Sequence, residues 1–243
     1  MNPASSPDLS AIVVAHDSGA ELQACIASVR REAARAGIAH EILVVDNASV
    51  DASVASLTNE GDLRIITNPR NLGFGAAVNQ GFQASSGPRI LLLNPDAELC
   101  EGSLEPLLAA LDTEGAALVA PSLILPDGSR QESPRRFYGP LVPLARRTLF
   151  GRSRLGRRVA AGHLLEENAT QRRTSVDWVT GAAMVLERSA VPIRGPFDER
   201  YFLYFEDVDL CRRLRAQGYK VIFEPRARVR HRFGGGSRRQ VPW

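Results

Sequence analysis

Cysteine is scarce in this 243-residue chain: Cys25, Cys100 and Cys211 are odd in number and show no C-x-x-C spacing. That argues against a disulfide framework and a thiolate zinc site, so a reducing compartment is expected. Long apolar runs are missing as well; no stretch approaches the roughly 18 residues of a membrane span. The opening MNPASSPDLS has neither the basic start nor the apolar core of a secretion signal, which points to the cytoplasm. A large charge of one sign is also absent, the formal net charge being +3. The distribution is uneven, however. Between Arg130 and Arg173 eleven arginines face only Glu132, Glu166 and Glu167, which leaves +8 there and −5 over the rest. There is no internal repeat. Nor is there a dinucleotide fingerprint: NLGFGAAVNQG has Gly73 and Gly75 but Val78 at the third glycine position, and it follows the third strand candidate rather than the first. This argues against an NAD-binding oxidoreductase.

What is present suits one α/β domain over residues 1–243, since 44% apolar composition at this length can bury a core. From Ser10 to about Leu125, short apolar runs alternate with helical stretches, the pattern of βαβ units and a mainly parallel sheet. The strand candidates are Ala11 to Ala15, Ile42 to Val45, Leu63 to Thr67, Ile90 to Leu93 and Ala117 to Ala120. Leu22, Cys25, Ile26, Val29 and Ala33 fall at helical spacing between the first two, and Gly37 ends that helix. Each of the first four strands runs into a polar loop, so one rim of the sheet collects Asp17, Asp46, Asp51, Asn71 and Asp96. Ligands bind beyond the carboxyl ends of strands in open α/β sheets. In RILLLNPDAEL, Pro95 stops the strand and leaves Asp96 on such a loop, as a candidate metal and phosphate ligand. Asn, Pro and Asp also favour plain turns, and the motif alone leaves both readings open.

Pro126 to Ser129 reads as a hairpin turn. The arginine-rich segment follows, either as an amphipathic helix through Leu141, Leu144, Ala145, Thr148 and Leu149 or as a solvated basic linker. WVTGAAMVLE reads as a strand with a glycine break, Asp207 to Gln217 as a helix capped by Gly218, Lys220 to Phe223 as a strand, and residues 234–243 as a flexible tail. In YFLYFEDVDLCRRL, Glu206, Asp207 and Asp209 stand at the helix start. The macrodipole accounts for Asp209. Glu206 and Asp207 lie beside Tyr201, Phe202, Tyr204 and Phe205, where burial would raise a carboxylate toward a useful general base. His231 precedes three glycines that let backbone approach a phosphate.

Seven motifs in order, IVVAHDSG, EILVVDNASVD, NPRNLGFGAAVNQGF, LLLNPDAEL, VTGAAMVLER, GPFDERYFLYFEDVDLCRRLRAQGY and HRFGGGS, make the chain resemble glycosyltransferase family 2, in its bacterial rhamnosyltransferase-like branch. The resemblance implies the GT-A fold: a Rossmann-like, mainly parallel sheet flanked by helices, with a smaller antiparallel acceptor-side portion. Residues of about 9–125 would form the nucleotide-sugar half and 126–233 the acceptor-side half. By the same resemblance, Ala15, Asp17 and Asp46 hold the base and ribose. Asn71, Gly73 and Asn79 line the nucleotide, and Asn94, Trp178 and Gly181 touch substrate. Asp96 and His231 would hold a divalent cation, Mg²⁺ or Mn²⁺. Asp207 would be the catalytic base, with Glu206 its neighbour and an acceptor contact. The implied reaction is inverting transfer of a sugar from a nucleotide donor to a glycan or polyprenyl-linked acceptor in cell-surface polysaccharide synthesis. The donor it points to is dTDP-rhamnose, with UDP-galactofuranose or a UDP-hexose as alternatives. Clustered arginine over residues 130–173 suits a peripheral position on the inner face of the bacterial cytoplasmic membrane, and a homodimer fits the class. Two positions depart from the family pattern: Asn94-Pro95-Asp96 offers one carboxylate rather than two, and His16-Asp17 stands where many relatives carry Tyr-Asn. The competing reading is a non-catalytic binder of nucleotide-sugar or nucleic acid. Nucleic-acid binding is disfavoured, because the arginine segment interleaves only Phe137, Tyr138 and Phe150.

Overall fold

The computed structural model describes residues 6–58, 61–131, 133–137 and 171–232. The apolar runs form strands β1 (Leu9–Ala15), β2 (His40–Asp46) and β3 (Leu63–Thr67), which pair in parallel. β1 is buried along its full length, and its side chains alternate between two cores. Leu9, Ala11 and Val13 face one and Ile12 and Val14 the other, as befits a strand covered on both faces. Helix α1 (Glu21–Ala36) lays Leu22, Cys25, Ile26, Val29 and Ala33 on the first face. Gly37, at φ 64°, turns the chain so that its N–H reaches the Ala34 carbonyl and the Ile38 N–H reaches that of Ala33. No helix joins β2 to β3; turns fill that connection as far as it is described.

Further along come α2 (Phe74–Ala84), β4 (Arg89–Leu93), β5 (Ala97–Leu99), α3 (Leu104–Leu111), β6 (Ala116–Ile124) and β7 (Arg130–Gln131). They are followed by β8 (Thr174–Val176), β9 (Ala183–Glu187), α4 (Glu206–Ala216) and β10 (Lys220–His231). The ten described strands make one sheet in the order β3-β2-β1-β4-β9-β6-β10-β5, with β7 on β6 and β8 on β10. Helices α1 and α3 supply one core, α2 and α4 the other.

The sheet is parallel through β3, β2, β1 and β4 and turns antiparallel where β9 enters between β4 and β6, in keeping with the mainly parallel sheet and smaller antiparallel portion expected. Two expectations change. The strand expected across WVTGAAMVLE begins only at Ala183, and Trp178 makes an isolated bridge with Arg135. β10 does not stop at Phe223, because its register shifts between Glu224 and Arg228, absorbing Pro225 in an irregularity that lets pairing resume. The 126–129 turn does close a hairpin, Leu125 N–H meeting the Ser129 carbonyl at 2.8 Å. The amphipathic helix proposed near Leu141 and the tail lie outside the described residues. Cys25, Cys100 and Cys211 are free thiols, and burial pushes Cys211 up to about 12. Among the described residues no helix is long and apolar enough to cross a membrane.

α1 and α3 are joined by a buried carboxylate. Glu32 accepts from the N–H groups of Ser103 at 2.8 Å, Gly102 at 3.2 Å and Leu104 at 3.3 Å, where α3 has no cap of its own. Glu32→Ala orphans these donors and should cost about 2–4 kcal/mol in chemical denaturation, with Glu32→Gln costing less. Equal stability of the three proteins would contradict this.

Candidate active site

Beyond the carboxyl ends of β1, β2 and β4 lies an open cleft, the place where open α/β sheets bind ligands. Of the residues chosen from the sequence, Asp17, Asn71, Gly73, Asn94 and Asp96 line it. Asp17, at φ 50°, ties two loops together through its Oδ1, which accepts from Val50 N–H at 2.7 Å and Asp51 N–H at 3.2 Å. Gly73 adopts φ 89°, and a Cβ there would stand 2.6 Å from the Phe202 carbonyl oxygen. Only glycine lets the loop carrying Phe202 and Leu203 close over this rim.

Four of the expected residues outside the cleft lining have their polar groups or side chains engaged in the surrounding scaffold. The Ala15 side chain is fully buried, and its carbonyl is taken by Asn47 N–H at 2.8 Å. Asp46 is buried and accepts from Ser49 N–H at 2.9 Å, shaping the loop rather than lining the cleft. Asn79 does not border the cleft either. Five residues past Phe74, it is turned about 140° around the helix. It instead pins the 197–199 segment, donating to the Phe197 carbonyl and the Glu199 carboxylate and accepting from Phe197 N–H. Trp178 is buried, its indole N–H on the Arg136 carbonyl at 3.0 Å and its ring 5.4 Å from the Arg135 guanidinium carbon.

Strand pairing brings Asp96 and His231 together. β5 and β10 run antiparallel with His231 opposite Ala97, and Arg232 N–H donates to the Asp96 carbonyl. His231 Nε2 then lies 3.4 Å from Asp96 Oδ1, with both side chains largely shielded from solvent. Gln131 Oε1, on β7, is 2.8 Å from His231 Nδ1. An Nδ1–H donated to that oxygen leaves the Nε2 lone pair directed at the carboxylate, a pair of donors that suits a divalent cation. Gln131 carried no sequence signal; only the hairpin places it. Among the described residues no cluster of three acidic, histidine or cysteine side chains forms, so two protein donors is what the site offers a metal.

Asp207 is not among the residues that line the cleft, but a short hydrogen-bonded path ties it to Asn94, which is. Asn94 N–H donates to the Ala182 carbonyl at 2.9 Å, and the next residue back, Gly181, donates its N–H to Asp207 Oδ2 at 2.9 Å. Burial raises the Asp207 carboxyl above its ordinary value, against the opposing hydrogen bonds from Gly181 and Val208 N–H. Glu206 is pushed up to about 7, chiefly by burial and then by the Asp207 charge, and its Oε2 has no hydrogen-bond partner among the described residues. The aromatic neighbours do not supply this burial: Phe202, Tyr204 and Phe205 are 57%, 46% and 62% exposed. Tyr204 and Phe205 both adopt φ 69°, a strained turn that points them outward.

Sequence reasoning missed Asn47, which is 2% exposed and borders the cleft floor. Its Nδ2 donates to Asn71 Oδ1 at 2.8 Å and the Gly73 carbonyl at 3.2 Å, while its Oδ1 accepts from Leu72 N–H at 3.0 Å and Asn68 Nδ2 at 3.2 Å. The available signal was its place after a strand-terminal aspartate in VVDNAS. His16, from the IVVAHDSG motif, also lines the cleft, though it was not chosen as a site residue.

The Glu206 shift has a stability consequence of definite sign. The folded-state value near 7 exceeds the ordinary 4.5, so burial costs nothing below 4.5, and stability falls as pH rises from there through 7. The wild type should lose about 2–3 kcal/mol through this group between pH 4.5 and 8. Glu206→Gln should lack that component in denaturation at the two pH values; parallel pH profiles would refute it.

Known proteins resemble this chain in sequence and in fold. The family described as Glycosyl transferase family 2 matches residues 10–173. An N-acetylglucosaminyl-diphospho-decaprenol L-rhamnosyltransferase of Mycobacterium tuberculosis is 29% identical over 92% of this chain and 75% of its own length. A pre-mycofactocin glycosyltransferase of the same organism is 30% identical over 94% of this chain and 44% of its own. Among solved structures, GalNAc-T7 with UDP, GalNAc and Mn²⁺ superposes with a TM-score of 0.66 at 17% identity, covering 95% of this chain and 45% of that one. The Pyrobaculum calidifontis mannosyltransferase PcManGT with GDP-Man and Mn²⁺ gives 0.61 at 14% identity, covering 97% and 59%. The chain thus spans about half the length of these solved structures, and the likeness establishes a shared α/β fold of the GT-A type. With the family match running from β1 to the start of β8, on a sheet of this topology, the chain belongs to glycosyltransferase family 2.

Proposed function

We propose that the chain transfers a sugar from a nucleoside-diphosphate donor to an acceptor hydroxyl, with inversion at the anomeric carbon. The observation that carries this reading is the hydrogen-bonded path from Asn94 through Ala182 and Gly181 to Asp207, which ties a carboxylate of raised pKa to the strand end that leads into the Asp96 loop, where Asp96 meets His231. Asp207 accepts the proton of the acceptor hydroxyl as its oxygen bonds to the anomeric carbon. The bond from that carbon to the diphosphate oxygen breaks, and the nucleoside diphosphate leaves with the electron pair. Asp96 and His231 are the residues that would hold a divalent cation, whose charge stabilises the departing diphosphate when bound. Mg²⁺ and Mn²⁺ both suit one carboxylate with one imidazole, the imidazole leaning toward Mn²⁺.

In this reading residues 9–125 serve the donor and 126–233 the acceptor. Rhamnose from dTDP-rhamnose is the donor we favour, supported by the mycobacterial rhamnosyltransferase. The same relative supports a lipid-linked glycan acceptor in cell-surface synthesis. A lipid-linked acceptor suits a protein resting on the cytoplasmic membrane face, and the +8 balance between Arg130 and Arg173 supports that position.

The test is release of nucleoside diphosphate from dTDP-, UDP- and GDP-sugars in the presence of a polyprenyl-diphosphate-linked N-acetylglucosamine acceptor, with and without chelator. dTDP-rhamnose should turn over fastest, and chelator should suppress release. Asp207→Asn should lower turnover by at least a thousandfold while donor affinity holds; full activity in that variant would remove the base assignment. Asp96→Ala should weaken donor binding in the presence of metal and leave metal-free binding unchanged. Because a base must be unprotonated and burial raises Asp207, activity should fall on acidification from above the ordinary carboxylate range. Binding to anionic vesicles at low salt, lost at high salt, is expected of the arginine segment; no sedimentation with such vesicles would count against the membrane position.

A further inference from the structure

We infer that Asn47 is a positioning residue that locks the Asn71 side-chain amide in one orientation, turning its two Nδ2 hydrogens into the cleft to meet an oxygen of the donor nucleotide. The inference rests on the nucleotide-sugar reading above and extends it to the polarity of one contact. An amide's oxygen and nitrogen ends have nearly the same shape, so their orientation is read from partners that cannot exchange roles. Backbone N–H groups are such partners. Gly73 N–H lies 2.9 Å from Asn71 Oδ1, and Leu72 N–H lies 3.0 Å from Asn47 Oδ1. Each assigned oxygen must therefore be an oxygen.

It follows that Asn47 turns its NH₂ toward Asn71. That group donates to Asn71 Oδ1 at 2.8 Å and to the Gly73 carbonyl at 3.2 Å. Asn47 Oδ1 takes a second donor, Asn68 Nδ2, which in turn donates to Gln80 Oε1 at 2.8 Å. All four hydrogen-bonding positions of the Asn47 side chain are thereby used in a buried setting, and rotation of the amide would set N–H against N–H. Asn71 Oδ1 has both lone pairs filled, by Asn47 and by Gly73 N–H. The Asn71 Nδ2 group meets no acceptor among the described residues, and Asn71 is half-buried on the cleft wall. The cleft thus presents a fixed donor at this point. It selects a hydrogen-bond-accepting oxygen, which a nucleoside diphosphate carries both on its base and on its phosphates, and it discriminates against an N–H edge. An amide held before binding also loses little freedom when the ligand arrives.

Calorimetric binding of uridine, UMP, UDP and dTDP to the full chain tests this. Asn71→Asp keeps an oxygen for Asn47 and Gly73 but replaces the NH₂ with a second oxygen, so UDP and dTDP should bind at least tenfold more weakly with an unchanged melting temperature. A loss already seen with uridine assigns the contact to the nucleoside; a loss seen only with the phosphorylated ligands assigns it to phosphate. Asn47→Ala should weaken UDP binding threefold or more in the wild type and add nothing in an Asn71→Ala background, since it acts through Asn71. Equal affinity of Asn71→Asp and wild type, or additive losses in the double variant, would overturn the inference and leave the transferase reading standing. A wild type that binds none of the four nucleosides and nucleotides takes both down. Should Asn47→Ala not fold, Asn71→Asp carries the test alone.

Discussion

The antiparallel pairing of β9 with β4 is the constraint on which the cleft depends. β4 ends where Pro95 removes a donor, and beyond that point the ladder continues by one bond, from Asn94 N–H to the Ala182 carbonyl. That bond fixes Gly181, Gly181 fixes the Asp207 carboxylate, and the turn that follows Asn94 carries Asp96. Remove the pairing and the two acidic groups lose their common frame. β10 completes it from the other side, since only a strand that passes Pro225 and resumes its ladder can lay His231 opposite Ala97.

Within that frame, burial separates the roles of neighbouring acids. Asp207 keeps two backbone N–H partners that favour its charged form and partly offset burial, whereas Glu206 has an oxygen without a hydrogen-bond partner among the described residues and is pushed up to about 7. Asn47 and Asn71 bring neutral amides to the cleft lining. Asn47, Asn68, Asn71 and Gln80 form a chain of hydrogen bonds whose direction is set by backbone donors, so the wall has a definite polarity without a formal charge. The exposed aromatics before α4 are turned outward at two successive left-handed residues, while Asp207 lies against the Gly181 backbone and α4 packs on β10.

The fold was legible from the sequence to the extent that it is local. Alternating apolar runs marked β1 to β4, helical spacing marked α1 and α4, and Gly37 and the 126–129 turn marked their ends as the structure has them. Asp96 and His231 were chosen from separate motifs and lie 3.4 Å apart. Four of the expected residues that do not line the cleft share a feature. Asn79 and Trp178 sit in conspicuous motifs, yet their side chains are spent on bracing loops, and Ala15 and Asp46 are buried beneath the rim they were expected to line. Motif membership does not say which way a side chain is turned by packing.

By itself, the sequence determined the periodicities, the breakers and the order of polar loops, because these arise from hydrogen bonds and steric preferences within a few residues of chain. It also determined which acids, amides and imidazole are available to the cleft. Only the tertiary structure decided that β9 would lie antiparallel between β4 and β6, that β10 would carry His231 past a proline to Asp96, and that Asn47 would orient Asn71. Those outcomes depend on strand register and on amide partners that are distant along the chain, and no local spacing encodes them.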